Sequence, residues 1–456
     1  MRRPNSILAL LAILTFVSLV RPSSFDVPLP ALDKQIRWPG RSIKIAVSTS
    51  LTTPSPTIKG DSDVMGALRR ALASWSRAAN IVFVEVASKA QSVSPTGKGD
   101  GVSLITIAPT TENVELFSQN NATARTRVFY DDKSGEITEA DIVINPYPYS
   151  EDGSALQFST DGTPGTYDLE STFAHEIGHL LGLGHSRVIG ATMQATQALN
   201  GTYGLPAFTE RSLSDADLEA VRSLYGLREQ VGSIEGRVLI NIDGGLAPAA
   251  AAHVWFEDLE SGKVMAAALT DAAGRFSVSV TPGSFRAMVE YVEKSVTEED
   301  ASSAAGSRKG AKRERPFRSV EMRNRLEVAA DQTSNVNYIL VPPQNTRPLV
   351  TARLIGTNGD LSTVPVPVVA GQKITLYVGG EGVDEVPASG LVLSSPFMTI
   401  DPSSLTLQRA VGATPVISFE VTIAPNAPPG DYTLRLQANS GELAYFVGGI
   451  SIDPNR

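Results

Sequence analysis

The 456-residue chain contains no cysteine, which excludes disulfide bridges, thiolate metal sites, a cysteine nucleophile and lipid attachment through sulfur. Stability outside a cell must then come from packing and bound ions. Histidine is nearly as scarce, at four residues. Positive charge is not in excess either: 39 Lys and Arg stand against 48 Asp and Glu, a net charge of −9. That is the reverse of the clustered positive charge that nucleic-acid phosphates demand, so nucleic acid is not expected as a partner. At the N-terminus the apolar run from Ile7 to Val20 falls short of the ~20 residues of a membrane span. Preceded by Arg2 and Arg3, it reads as an export signal over residues 1–24, with an uncleaved anchor as the alternative because no clear small-x-small cleavage site follows.

What is present is ordinary folded protein, 42% hydrophobic and 19% charged. At ~150 residues per domain the length suggests about three units. "RSIKIAVSTSL" (Arg41–Leu51) alternates as a half-buried strand does, and "SDVMGALRRALASWSRAAN" places Val64, Leu68, Ala71, Leu72 and Trp75 on one helical face, with Ser62 as the N-cap and Trp75 in the core. A strand Ile81–Val86, further β-rich runs and an Asp131–Gly135 turn follow. A second helix starts at an Asp168 cap and runs to Gly182; a third follows Ser214 and stops at Gly226. Beyond Arg228 short strands alternate with Gly, Pro and Asp turns, interrupted by a polar, charged stretch at 293–325 and broken again near Pro343, as two small β-domains in series would be.

Three of the four histidines lie in "HEIGHLLGLGH", His175–His185. Residues four apart share a helical face, so His175 and His179 direct imidazole nitrogens at one ion. Gly182 can take the positive φ that ends the helix and returns His185 as a third ligand. Three protein ligands leave a position open for water. Glu176, rotated ~100° from His175, stands beside the metal where it can accept that water's proton. Chance clustering is a weak alternative for so many specified positions.

"HEIGHLLGLGHSRVIGATM" resembles the matrixins, the matrix-metalloproteinase branch of the metzincin zinc proteases. Trp38-Pro39, the Trp75 helix and "LSDADLEAVRSLYG" are similar to matrixin segments as well, so the resemblance covers Arg37 to Gly226. It implies an α+β catalytic domain, a twisted mostly parallel sheet with three helices, followed by two all-β sandwiches. It further implies one catalytic Zn²⁺ on His175, His179 and His185, Glu176 as general base, Met193 as the Met-turn floor under the metal, Gly182 as the turn and Asp217 as support for the Met-turn. Ala140–Asn145 resembles the edge strand along which metzincin substrates lie.

The departures matter too. With no cysteine, the propeptide thiolate that keeps vertebrate matrixins latent is absent. No histidine precedes His175, so a second, structural zinc is not expected. "QATQALN" replaces the Pro-x-Tyr wall, so the S1′ pocket does not carry over and substrate-binding residues remain unassigned. Asp131, Asp132 and Glu136 read as a solvated hairpin turn in preference to a Ca²⁺ site. The type is nearer to compact bacterial matrixins.

Elsewhere, residues 229–342 resemble carboxypeptidase-regulatory-like sandwiches and 343–456 an immunoglobulin-like one. His253 reads as an ordinary strand residue, Arg308–Arg318 as a flexible basic insertion, and Asn121 and Asn200 fit glycosylation sequons. The expectation is a secreted, monomeric zinc endopeptidase, with residues 25–228 catalytic, acting on protein or peptide and making cell-surface or matrix contact through its β-domains. The alternative is a non-enzymatic surface-binding protein that keeps the protease fold as a zinc-binding scaffold.

Overall fold

The structure is a computed structural model and describes residues 21–22, 24–25, 35–95, 99–117, 122–147, 156–226, 231–292, 315–344, 348–408 and 414–453. Its N-terminal elements, in chain order, are β1 (Arg21–Pro22), β2 (Ser24–Phe25), β3 (Ser42–Ser48), α1 (Val64–Ala79), β4 (Val82–Ser88), β5 (Leu104–Thr106), α2 (Thr111–Glu115), β6 (Ala124–Tyr130), β7 (Ile137–Ile144), β8 (Phe158–Ser159), β9 (Tyr167–Asp168), α3 (Leu169–Leu180), β10 (Thr196–Gln197) and α4 (Asp215–Tyr225). Six strands form one sheet in the order β2-β6-β7-β5-β3-β4. All neighbours are parallel except β6 and β7, which form an antiparallel hairpin. Parallel β3 and β4 need a crossover connection, which α1 supplies.

The amphipathic face of α1 is buried as its spacing requires: Leu68, Ala71, Leu72 and Trp75 join the core beneath α3. Trp75 Nε1 donates to Ala174 O at 2.7 Å, which ties the two helices together. The N-cap is Asp63 and not Ser62, because the Asp63 carboxylate accepts Gly66 N at 2.9 Å. Asp168 caps α3 through Ser171 N and, although fully buried, is paired with Arg211 at 2.5 Å. Ser214 and Asp217 cap α4 reciprocally. α2, a short helix among the described residues, adds to the three expected.

The edge-strand assignment needs correction. β7, which contains Ala140–Ile144, lies between β6 and β5, and the strand beside α3 is β6, bordered on its outer side only by the two-residue β2. The physical reason is visible in the residues: β7 is buried at nearly every position, as a strand with neighbours on both sides is.

Beyond residue 231 the chain is β throughout. Gly232–Ile242 organises one five-stranded sheet and Ala252–Asp258 another, closing on a core that includes Phe256, Phe276, Phe285 and Phe317. Much of the expected charged insertion, residues 293–314, lies outside the described residues. Its distal part is not a solvated loop, since Phe317 is core and Val320–Glu321 pairs with Gly283–Tyr291. A second pair of sheets, five-stranded around Val416–Ile423 and four-stranded around Leu443–Ile452, follows.

These β units are not strung out in series. Val188, Ala191 and Ala216 share one buried cluster with Trp255, Val264 and Met288 and with Tyr445 and Val447. Ile189 N donates to Val447 O at 2.7 Å, and Lys263 pairs with Asp215 at 2.7 Å. Tyr203 inserts its ring into the last unit, where its hydroxyl lies 2.8 Å from Ile355 O and 2.9 Å from Val364 O. Asn200 is buried and its side chain bonds Thr166 and Ala207 N, so its sequon is not accessible. Asn121 and residues 1–20 lie outside the described residues, and among the described residues no helix is long and apolar enough to cross a membrane.

Candidate metal centre

His175 and His179 stand one turn apart on α3, with their Nε2 atoms 3.0 Å from each other. Gly182 then adopts φ +95°, and a Cβ at that position would stand 2.1 Å from Ile36 O, so both the backbone conformation and the close approach require glycine. The reversal brings His185 back: ring centroids are 4.6 Å apart for 175–179, 4.8 Å for 179–185 and 5.3 Å for 175–185. One nitrogen from each ring lies within 4.8 Å of the others, in the one such donor cluster among the described residues.

The donors fit a tetrahedral ion. Ligands at 2.0–2.1 Å from zinc sit roughly 3.3 Å apart, close to the observed Nε2 separation. Nδ1 of His175 is 2.8 Å from Thr192 O, and Nδ1 of His179 is 2.8 Å from Leu183 O. A carbonyl only accepts, so the proton sits on Nδ1 and the Nε2 lone pair faces the site. Burial lowers His175 to about 4 and His185 to about 3, and pushes His179 well below the usual imidazole value, helped by its two neighbours. All three rings are therefore neutral donors near pH 7.

Behind the ligands lies a relay from α4. Asp217, buried, accepts Thr192 N at 2.7 Å and Met193 N at 3.2 Å, while Ser214 holds the same carboxylate through its N and Oγ. Thr192 in turn presents its carbonyl to His175. Ser186 N donates to Met193 O at 2.7 Å and closes the turn. Met193 packs below α3 at Gly178, where a Cβ would meet its Sδ at 2.2 Å. Gly178 and Thr192 carry no signal of these contacts in an isolated sequence.

Glu176 is fully buried, and its Oε2 lies 2.5 Å from Thr126 Oγ1 on β6. With His175 it lines a cavity whose further walls include Thr172, Gln197 and Glu210. His253 lies elsewhere, buried in a strand with Nδ1 2.9 Å from Glu290. In the β6–β7 turn Asp131 accepts Lys133 N and Ser134 N, the role of a turn residue.

Residues 115–226 match the family model "Peptidase_M10: Matrixin", so this stretch is a matrixin domain. The match begins within the Arg37–Gly226 span of the sequence resemblance and covers its C-terminal part. Metalloendoproteinase 1 of Glycine max is 42% identical over 62 residues, 13% of this chain and 18% of that protein. Metalloendoproteinase 4-MMP of Arabidopsis thaliana is 40% identical over 72 residues, 16% and 19% of the two chains. The chain thus spans less than a fifth of the length of these curated relatives. Among solved structures, the minor pilin GBS52 of Streptococcus agalactiae has a TM-score of 0.16 at 13% identity, covering 26% of this chain and 46% of that one. The 5-hydroxyisourate hydrolase of Klebsiella pneumoniae has a TM-score of 0.16 at 18% identity, covering 25% and 92%. Similarity at that level carries no argument about this protein.

Proposed function

We propose that this protein is an exported, monomeric, zinc-dependent endopeptidase of the compact bacterial matrixin type. In this reading residues 25–228 are catalytic, 229–342 form a carboxypeptidase-regulatory-like sandwich, and 343–456 form an immunoglobulin-like one that contacts a surface or matrix. The observation that carries the proposal is the convergence of His175, His179 and His185 beside the carboxylate of Glu176. The three imidazoles would hold one zinc ion. Bound there, zinc polarises a peptide carbonyl and makes a water more acidic.

The chain's own residues do the remainder. Glu176 takes the proton of the attacking water and hands it to the departing amine. Thr126 fixes the carboxylate, and Asp217, through Thr192, fixes His175. An extended peptide would add as a strand to the outer side of β6, in place of the β2 segment that pairs there at Arg125 and Thr126.

Glu176→Ala in the full chain should lower peptide hydrolysis by at least ~10³-fold while one equivalent of zinc stays bound. Metal content by atomic absorption and cleavage of a peptide mixture by mass spectrometry measure the two quantities separately. Cleavage by that variant at the wild-type rate would sink the mechanism.

A further inference from the structure

The cavity beside Glu176 is polar, and its chemistry extends the endopeptidase reading on which it rests. Glu176 returns its proton to the leaving nitrogen, so the residue bearing that nitrogen lies nearest Glu176. Its side chain therefore meets the cavity that Glu176 and His175 share. Apart from those two, every lining side chain is a hydroxyl, amide or carboxyl group, with Ala191 the single apolar one. Gln197 is pinned in place: Nε2 donates to Thr172 Oγ1 at 2.8 Å and to Asp168 O at 3.0 Å, and Oε1 accepts from Thr123 Oγ1 at 3.3 Å. Glu210 is buried, and its Oε1 accepts Ala198 N at 3.1 Å. That is its one hydrogen bond among the described residues, which leaves Oε2 for a guest. The free space is about 10 Å³, room for a single water. A long apolar side chain would have to force this space open and would strip its walls of water without replacing the hydrogen bonds.

We propose that this cavity selects a small hydroxyl side chain (serine or threonine) on the residue that carries the leaving amine, its hydroxyl taking the place of the single water, with Glu210 as the group that hydrogen-bonds it. Large apolar residues at that position are rejected because they leave the second Glu210 oxygen dry and unsatisfied, while Gln197 and Thr172 stay bonded to each other and to Asp168 O. A site built to hydrogen-bond its guest discriminates more strongly than one that only measures size.

The test uses the full-length, zinc-loaded protein and a peptide set varied only at the residue after the scissile bond. Ser or Thr peptides should exceed the Leu peptide at least ~10-fold in kcat/KM. Glu210→Leu should collapse that ratio, and Gln197→Leu should lower it. A ratio of two substrates on one preparation does not depend on how much of a variant is folded, so partial misfolding does not mask the result. An active wild-type enzyme that prefers Leu, or a ratio unchanged in both variants, overturns the pocket assignment and leaves the endopeptidase reading standing. A wild-type protein that binds zinc and cleaves no peptide overturns both.

Discussion

Glu176 owes its orientation to Thr126, a residue fifty positions away on the rim strand, whose hydroxyl lies 2.5 Å from its Oε2. Thr126→Val keeps the shape and removes the donor. Because Thr126 positions the base without touching the reacting atoms, kcat should fall roughly 10-fold with KM and zinc content unchanged. Steady-state kinetics at saturating zinc checks it, and an unchanged kcat would show that packing alone orients the carboxylate. The three-histidine cluster was legible because its relationships are local: four positions make one helical turn, and a glycine permits the reversal that returns His185. Thr126, Thr192 and Gly178 were not, since each acts through a contact with a distant segment. An isolated threonine in a β-rich run looks the same whether it faces a carboxylate or water.

At the scale of elements, the same division holds. The caps at Asp168 and Ser214 and the breaks at Gly182 and Gly226 followed from local chemistry, whereas strand order did not, because pairing is nonlocal. Even so, β7 ends in the continuous apolar run Ile142–Ile144, which marks a strand covered on both faces. The rim has an occupant. β2 runs parallel to β6, and β1 runs antiparallel to β10, so these two short strands pair with both flanks of the cleft. One flank carries Thr126 and the other, Thr196–Gln197, lines the polar cavity. A peptide substrate added to β6 needs the same backbone N–H and C=O groups, so the two compete. A chain beginning at Gln35 should show a several-fold lower KM for short peptides at unchanged kcat. Export cleavage near residue 24 would remove most of the competing segment. Equal KM values for the long and short forms would mean that the segment does not stand in the substrate's way.

At the scale of the whole molecule, the β units converge on the Val188–Ala191 loop that follows the three-histidine cluster, an arrangement that the turn-rich composition of the tail did not reveal. The contact is tight where Gly190 meets Asp431: a Cβ at Gly190 would stand 2.2 Å from the Asp431 carboxylate. Burial raises Asp431 to about 7, with Asp215 and Asp217 adding to the effect and Ser451 and Lys263 opposing it. Its unfolded value is ~3.9. Between those values the folded protein retains a proton that the unfolded chain releases. This carboxyl therefore makes stability fall as pH rises from about 4 to about 7, with the loss complete above that range. Asp141 and Glu210, raised to about 7 and about 8 by burial, act in the same direction, while the buried histidines act in the opposite one. Comparing wild type with Asp431→Asn cancels those shared contributions. The variant should match wild type near pH 3, where Asp431 is protonated in the folded and the unfolded chain alike, and exceed it in Tm by roughly 4 °C near pH 8, where the ionised carboxylate faces the junction without enough solvent. Thermal unfolding of both zinc-loaded proteins across that range measures the difference directly. Parallel pH profiles would mean that the junction hydrates Asp431 and does not hold it as the neutral acid.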